Sequence, residues 1–208
     1  MFVSAEVRWF WEAVPPDPFK SWFLSTNVHP CAAGGGGRRV DVYLNDPEQT
    51  ELGVKTRGSK PGVEIKCLVA RLPDAIAEGP FQGPGELWTK LTSPSLHLPP
   101  DLAVRVIKIR WLRKFDTSTR EVNEIATGSD EEPLVGSWPI AGCNVELTEV
   151  SVRDKTAWTF GLEAFDGLEA PTSLRSVATL LSGRNPPPMG EVDRISYPAW
   201  LASINAPK

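Results

Sequence analysis

The 208-residue sequence predicts an α+β fold that is mainly β. Three observations carry this. About eight segments alternate polar and apolar residues with the period of a strand. Most of them are joined in hairpin order by connections rich in glycine, proline and aspartate. Several place ionised groups on one strand face and Val, Ile or Trp on the other. Strands of this kind form either an open antiparallel sheet with its charges in water or a closed barrel with its charges lining a tunnel. Composition does not choose between the two. Arg8, Lys55, Arg57, Lys66, Lys108 and Arg110 come from four separate strands, and that convergence favours an eight-stranded antiparallel closed barrel with helices packed outside.

Residues 2–11 alternate as an opening strand, with Ser4, Glu6 and Arg8 on one face and Ala5, Val7 and Trp9 on the other. Pro15, Pro16 and Pro18 end it, and 19–24 read as a short helix with proline at its start. The glycine run at 34–37 leads into a strand, not a helix, so it reads as a connection and not as a phosphate loop. The strand 38–44 sets Arg39, Asp41 and Tyr43 on one side. Residues 51–70 form a hairpin about a Gly-Ser-Lys-Pro-Gly turn, with Lys55 and Arg57 sharing a face of one arm and Glu64 and Lys66 a face of the other.

Prolines at 73, 80, 84 and 94 break the stretch 72–98, which is expected to be a proline-rich insertion, to about 100, with a helical turn at 85–91 covering an apolar sheet face. A strand at 104–115 carries Lys108 and Arg110 opposite Ile107, Ile109 and Trp111, and 120–125 is its hairpin partner. Residues 144–152 and 156–165 make a second hairpin, with Glu146 and Glu163 on its polar face. C-terminal helices are expected at about 172–204: an amphipathic one over 172–183, started by Thr172 and Ser173 and stopped by Gly183, and a short one around 197–202.

The chain fits a single domain, 1–208, long enough to bury a core without staples. No stretch approaches the ~20 apolar residues of a membrane span. The N-terminus lacks a signal-peptide pattern, so no membrane is expected and the cytoplasm is the default. Cys31, Cys67 and Cys143 form no metal-binding or disulfide pattern. A net charge of -4 and a pI near 5.3 argue against duplex nucleic acid as a partner. A local cation cluster still suits a small polyanion, and Glu6, Glu64, Glu146 and Glu163 are oxygen ligands of the type a divalent ion takes.

These segments resemble, in order, the CYTH or triphosphate tunnel metalloenzyme superfamily. Its opening Glu-x-Glu-x-Lys strand is similar to Ser4-Ala5-Glu6-Val7-Arg8, its Tyr-Leu strand to Tyr43-Leu44, and its Leu-Arg-x-Arg arm to Val54-Lys55-Thr56-Arg57. A strand ending in Lys resembles Glu64-Ile65-Lys66, a Lys-x-Arg strand Lys108-Ile109-Arg110, a late acidic pair Gly161-Leu162-Glu163, and a Ser-Tyr-x-x-Leu helix 196–201. The resemblance implies an eight-stranded barrel that takes a small-molecule polyphosphate or organic triphosphate. It also implies Mg2+ or Mn2+ held by Glu6, Glu146 and Glu163, with Glu6 and Glu163 in catalytic roles. Arg8, Lys55, Arg57, Lys66, Lys108 and Arg110 would bind the phosphates.

The departures are patterned. Ser4 and Gly161 each stand where the first acid of a pair belongs, and Ile195 stands where a lysine does, with Arg194 one place earlier. The cation set is nearly whole and the acid set is halved, which points to phosphate binding ahead of hydrolysis. Two functions follow, a divalent-metal-dependent triphosphatase and a non-catalytic binder on the same fold. Against both stands the plain alternative that the charges pair with one another or face water. His29 and His97 read as surface residues, Trp9, Trp111 and Trp158 as core, Tyr43 as a phosphate donor or a rim residue, and Glu64 as the partner of a neighbouring lysine.

Overall fold

The computed structural model describes residues 2–25, 37–58, 60–128, 132–165 and 169–205. His29, Cys31 and most of the glycine run lie outside them. In chain order the described residues form β1 (Phe2–Trp11), α1 (Asp17–Ser25), β2 (Gly37–Leu44), β3 (Leu52–Arg57), β4 (Lys60–Ile76), β5 (Gly83–Ser93), β6 (Ala103–Asp116), β7 (Asn123–Ile125), β8 (Gly142–Val152), β9 (Lys155–Phe165), α2 (Ala170–Ser182), β10 (Asp193–Arg194) and α3 (Tyr197–Asn205).

Eight strands close into an antiparallel barrel in the order β1, β5, β4, β3, β2, β6, β8, β9, and β9 returns to β1. Closure removes every free edge along that path. β1 is the seam. Its residues 4–6 pair with β5 on one side and β9 on the other, while β10 takes Trp9 and Phe10, beyond the reach of β5. β7 extends β6.

The stretch expected to be an insertion is part of the wall. β4 runs on to Ile76, and β5 occupies the place of the expected helical turn, paired with β4 and β1. Its prolines fall where strands tolerate them: Pro73 in the irregular segment between Leu72 and Ile76, Pro84 at the start of β5, and Pro94 just past its end. Gly62 is required where β4 begins, because it takes φ 90° and a Cβ there would lie 2.5 Å from the Ser93 carbonyl oxygen.

The apolar strand faces point outward over half the barrel and are covered by α1 and α2. Ala5, Val7, Trp9 and Trp11 of β1, with Val145, Leu147, Phe160 and Leu162 of β8 and β9, form the main core. Phe160 lies 5.2 to 5.9 Å, ring to ring, from Trp9, Phe19, Phe23 and Phe81. α2 begins with a proline in its first turn and buries Leu174, Val177, Ala178 and Leu181, one stripe of helical spacing.

α3 sits differently. Inward-facing Phe10, Val104, Val106, Val150, Val152 and Ala157 fill one end of the barrel and meet Trp200 and Leu201 of α3. Trp200 stacks on Phe10 at 4.7 Å. Ser196 starts this helix, its hydroxyl accepting from the Ala199 amide. The barrel interior is therefore apolar beside α3 and charged beyond it. No helix among the described residues is long and apolar enough to cross a membrane.

Candidate functional site

The inward faces of all eight barrel strands meet in one pocket, whose empty volume including its mouth is ≈ 640 Å³. β1 supplies Glu6 and Arg8, β2 Arg39 and Tyr43, and β3 Lys55 and Arg57. Glu64 and Lys66 come from β4, Lys90 from β5, and Lys108 and Arg110 from β6. Glu146 of β8, Glu163 of β9 and Tyr197 of α3 line it as well. The period of two places these groups together. Each strand sends alternate residues inward, and closure turns eight separate polar faces toward one axis.

The ion pairs fall into two groups. On the side of β1, β8 and β9, Arg8 donates from Nε to Glu6 Oε1 at 2.8 Å and from Nη1 to Glu146 Oε1 at 2.6 Å. Lys66 Nζ bridges Glu6 Oε2 and Glu163 Oε1, the latter at 3.0 Å, and Arg110 Nη1 lies 3.5 Å from Glu146 Oε2. Three acids there face three cations.

The second group, whose cations come from β2, β3, β5 and β6, is not balanced. Asp41, fully buried, is shared by Lys108 at 3.1 Å, Arg39 at 3.0 Å and Lys55 at 3.5 Å. Glu64 is shared by Arg57 at 2.6 Å, Lys90 at 3.5 Å and Lys55 at 3.7 Å. Five cations there face two acids. Tyr43 is buried against this group, its hydroxyl accepting from Lys108 Nζ at 2.8 Å and its ring stacked on Tyr197 at 5.4 Å.

Proton affinities record the crowding. Burial, then Arg57, lower Lys55 to about 8 despite Asp41 and Glu64. Burial, then Lys55, push Lys108 well below the usual lysine value. Burial opposes the ionisation of Asp41, but Lys108, Lys55 and Arg39 outweigh it and hold the carboxyl at about 2. Lys66 brings Glu163 to about 2. Arg8 is held above its ordinary range, because Glu146 and Glu6 outweigh the burial that favours its neutral form.

Every residue expected in the site lines this pocket: Glu6, Arg8, Lys55, Arg57, Lys66, Lys108, Arg110, Glu146 and Glu163. Glu64 pairs with lysines as expected and with Arg57 as well. Arg39 and Lys90 join the cations. The alternation of 38–44 already put Arg39 on the right face, whereas Lys90 was hidden by the expected helical turn. Tyr43 is neither at the rim nor in water. Arg194 lies elsewhere, its guanidinium 5.1 Å from the centre of the Trp9 ring.

The expected metal ligands are paired with cations in this arrangement. Glu6, Glu146 and Glu163 share the pocket, but each is engaged by cations. No group of three His, Cys, Asp or Glu among the described residues is placed to hold an ion. Cys67 and Cys143 are free thiols, Cys143 buried. No protein-family model matches the chain, and no curated protein matches it.

Proposed function

We propose that the pocket binds a polyphosphorylated small molecule, an inorganic polyphosphate or an organic triphosphate. We further propose that the ordered likeness to the triphosphate tunnel superfamily reflects divergent membership of it, in a cytoplasmic protein. One observation carries the binding function: five cations from β2, β3, β5 and β6 against two acids, Asp41 and Glu64, in one pocket. Like charges crowded in a site of low polarisability repel strongly. A ligand with several negative charges relieves that repulsion and gains charge-assisted hydrogen bonds. Arg39 and Arg57 offer planar forks suited to phosphate oxygens. Lys55, Lys90 and Lys108 add point charges, and the Tyr197 hydroxyl, buried and without a partner among the described residues, adds a donor. The surplus spans four strands, which suits a chain of phosphates better than one.

The test is thermal shift together with phosphate release for tripolyphosphate, thiamine triphosphate, ATP and orthophosphate, each with and without Mg2+ or Mn2+. A saturable shift with tripolyphosphate, larger than with orthophosphate, is expected. No shift with any of them contradicts the proposal. Metal-dependent release that disappears in Glu163→Ala would make the protein a hydrolase as well as a binder.

A further inference from the structure

Glu6, Glu146 and Glu163 present six carboxylate oxygens to the pocket, and five of them face a cation of the chain itself. Arg8 is the centre of this arrangement. Its side chain is 6% exposed. It spans Glu6 and Glu146 and donates a third bond to Thr159 Oγ1 at 3.3 Å. Mg2+ and Mn2+ need several free oxygens at short range. An ion entering here would have to displace a buried guanidinium and an ammonium before it gained more than one of these oxygens.

Gly161 explains how the arginine reaches that place. It pairs with Arg8 across the β1–β9 ladder and with Glu146 across the β8–β9 ladder. A Cβ at 161 would lie 2.7 to 2.9 Å from the guanidinium atoms. Any side chain there must push Arg8 aside. The residue that removes an acid from the late pair therefore also makes the room that seats the arginine.

We propose that Arg8 is the pocket's built-in cation, holding Glu6 and Glu146 as a divalent ion otherwise would, and that the polyphosphate ligand binds without a metal. The proposal rests on the binding function above. It makes Arg8 a positioning residue: it neutralises the acids on one side so that the surplus cations opposite act on the ligand. It also favours the metal-free form of the ligand, which carries more negative charge.

Calorimetric titration of metal-stripped wild-type protein with tripolyphosphate, in EDTA and in Mg2+, is the first test. Binding in EDTA at least as tight as in Mg2+, to within about twofold, is expected. Binding that appears only with Mg2+ or Mn2+, or tightens by about tenfold or more, overturns the proposal and leaves the binding function standing. Absence of binding under both conditions overturns both. The second test titrates Mn2+ alone into wild type and Arg8→Gln. Freed carboxylates in the variant should raise Mn2+ affinity by about tenfold or more, and equal affinity in the two proteins overturns the role of Arg8. Should Arg8→Gln fail to fold, the wild-type comparison still decides whether the ligand binds without a metal.

Discussion

Lys55 stands between two shared acids, 3.5 Å from Asp41 and 3.7 Å from Glu64, with Arg57 as its strongest cationic neighbour. Its lowered proton affinity has two consequences of opposite sign. The folded protein holds this proton less tightly than the unfolded chain, so the stability contributed at Lys55 rises with pH between about 8 and the usual 10.5. A bound anion favours the charged form, so ligand affinity falls as pH rises through about 8. Titrations with tripolyphosphate from neutral to alkaline pH should show this loss, and Lys55→Arg, which stays charged, should flatten it relative to wild type. Parallel curves for the two proteins would show that Lys55 does not titrate against the ligand. Residues of this kind were legible from the period of two alone: Glu6 and Arg8, Lys55 and Arg57, and Lys108 and Arg110 share faces in the sequence and share the pocket in the fold. Their partners were not. Nothing local in the sequence assigns Asp41 to Lys108 or Glu146 to Arg8, because those pairs exist only after the barrel closes.

β5 and α3 mark where local pattern falls short at the scale of elements. Prolines near both ends and the sequence Gly-Glu-Leu-Trp-Thr-Lys-Leu suit a helical turn over 85–91. Pairing with β4 and β1 overrides that preference, as strand identity depends on neighbours more than on propensity. Lys90 therefore enters the pocket from a strand that local pattern does not show. For α3 the sequence shows a short helix but not its seat, since periodicity does not reveal what a helix packs against. Its position predicts a double effect. Trp200→Ala removes a buried ring stacked on Phe10 and should cost ~3–5 kcal/mol of stability. It should also weaken tripolyphosphate binding by roughly tenfold, because Tyr197, one turn earlier, loses its hold beside Lys108, whose ammonium lies 4.0 Å from the Tyr197 ring centre. Leu174→Ala on α2 should cost ~2–5 kcal/mol and leave affinity unchanged, since that helix packs on the outer face. Urea denaturation and calorimetry on both variants check the contrast, and equal effects on binding would contradict it.

For the molecule as a whole, closure converts an alternation shared by eight strands into a single charged interior. The same chain with an open sheet would leave those charges in water, where pairs contribute little. Inside, the acids of β1, β8 and β9 are balanced by Arg8, Lys66 and Arg110, and the surplus on β2, β3, β5 and β6 remains to act on a ligand despite a net charge of -4 for the chain. The barrel and its charged interior followed from the ordered strand faces. The division of that interior into a balanced and an unbalanced half did not, because it depends on which strands become neighbours. The most direct measurement is calorimetric titration of tripolyphosphate, in EDTA, into wild type, Arg57→Gln, Lys90→Gln and the exposed-site control Arg71→Gln. One saturable site is predicted in wild type and Arg71→Gln, with affinity about tenfold or more weaker in each of the other two. No saturable heat in wild type, or four indistinguishable curves, would contradict it.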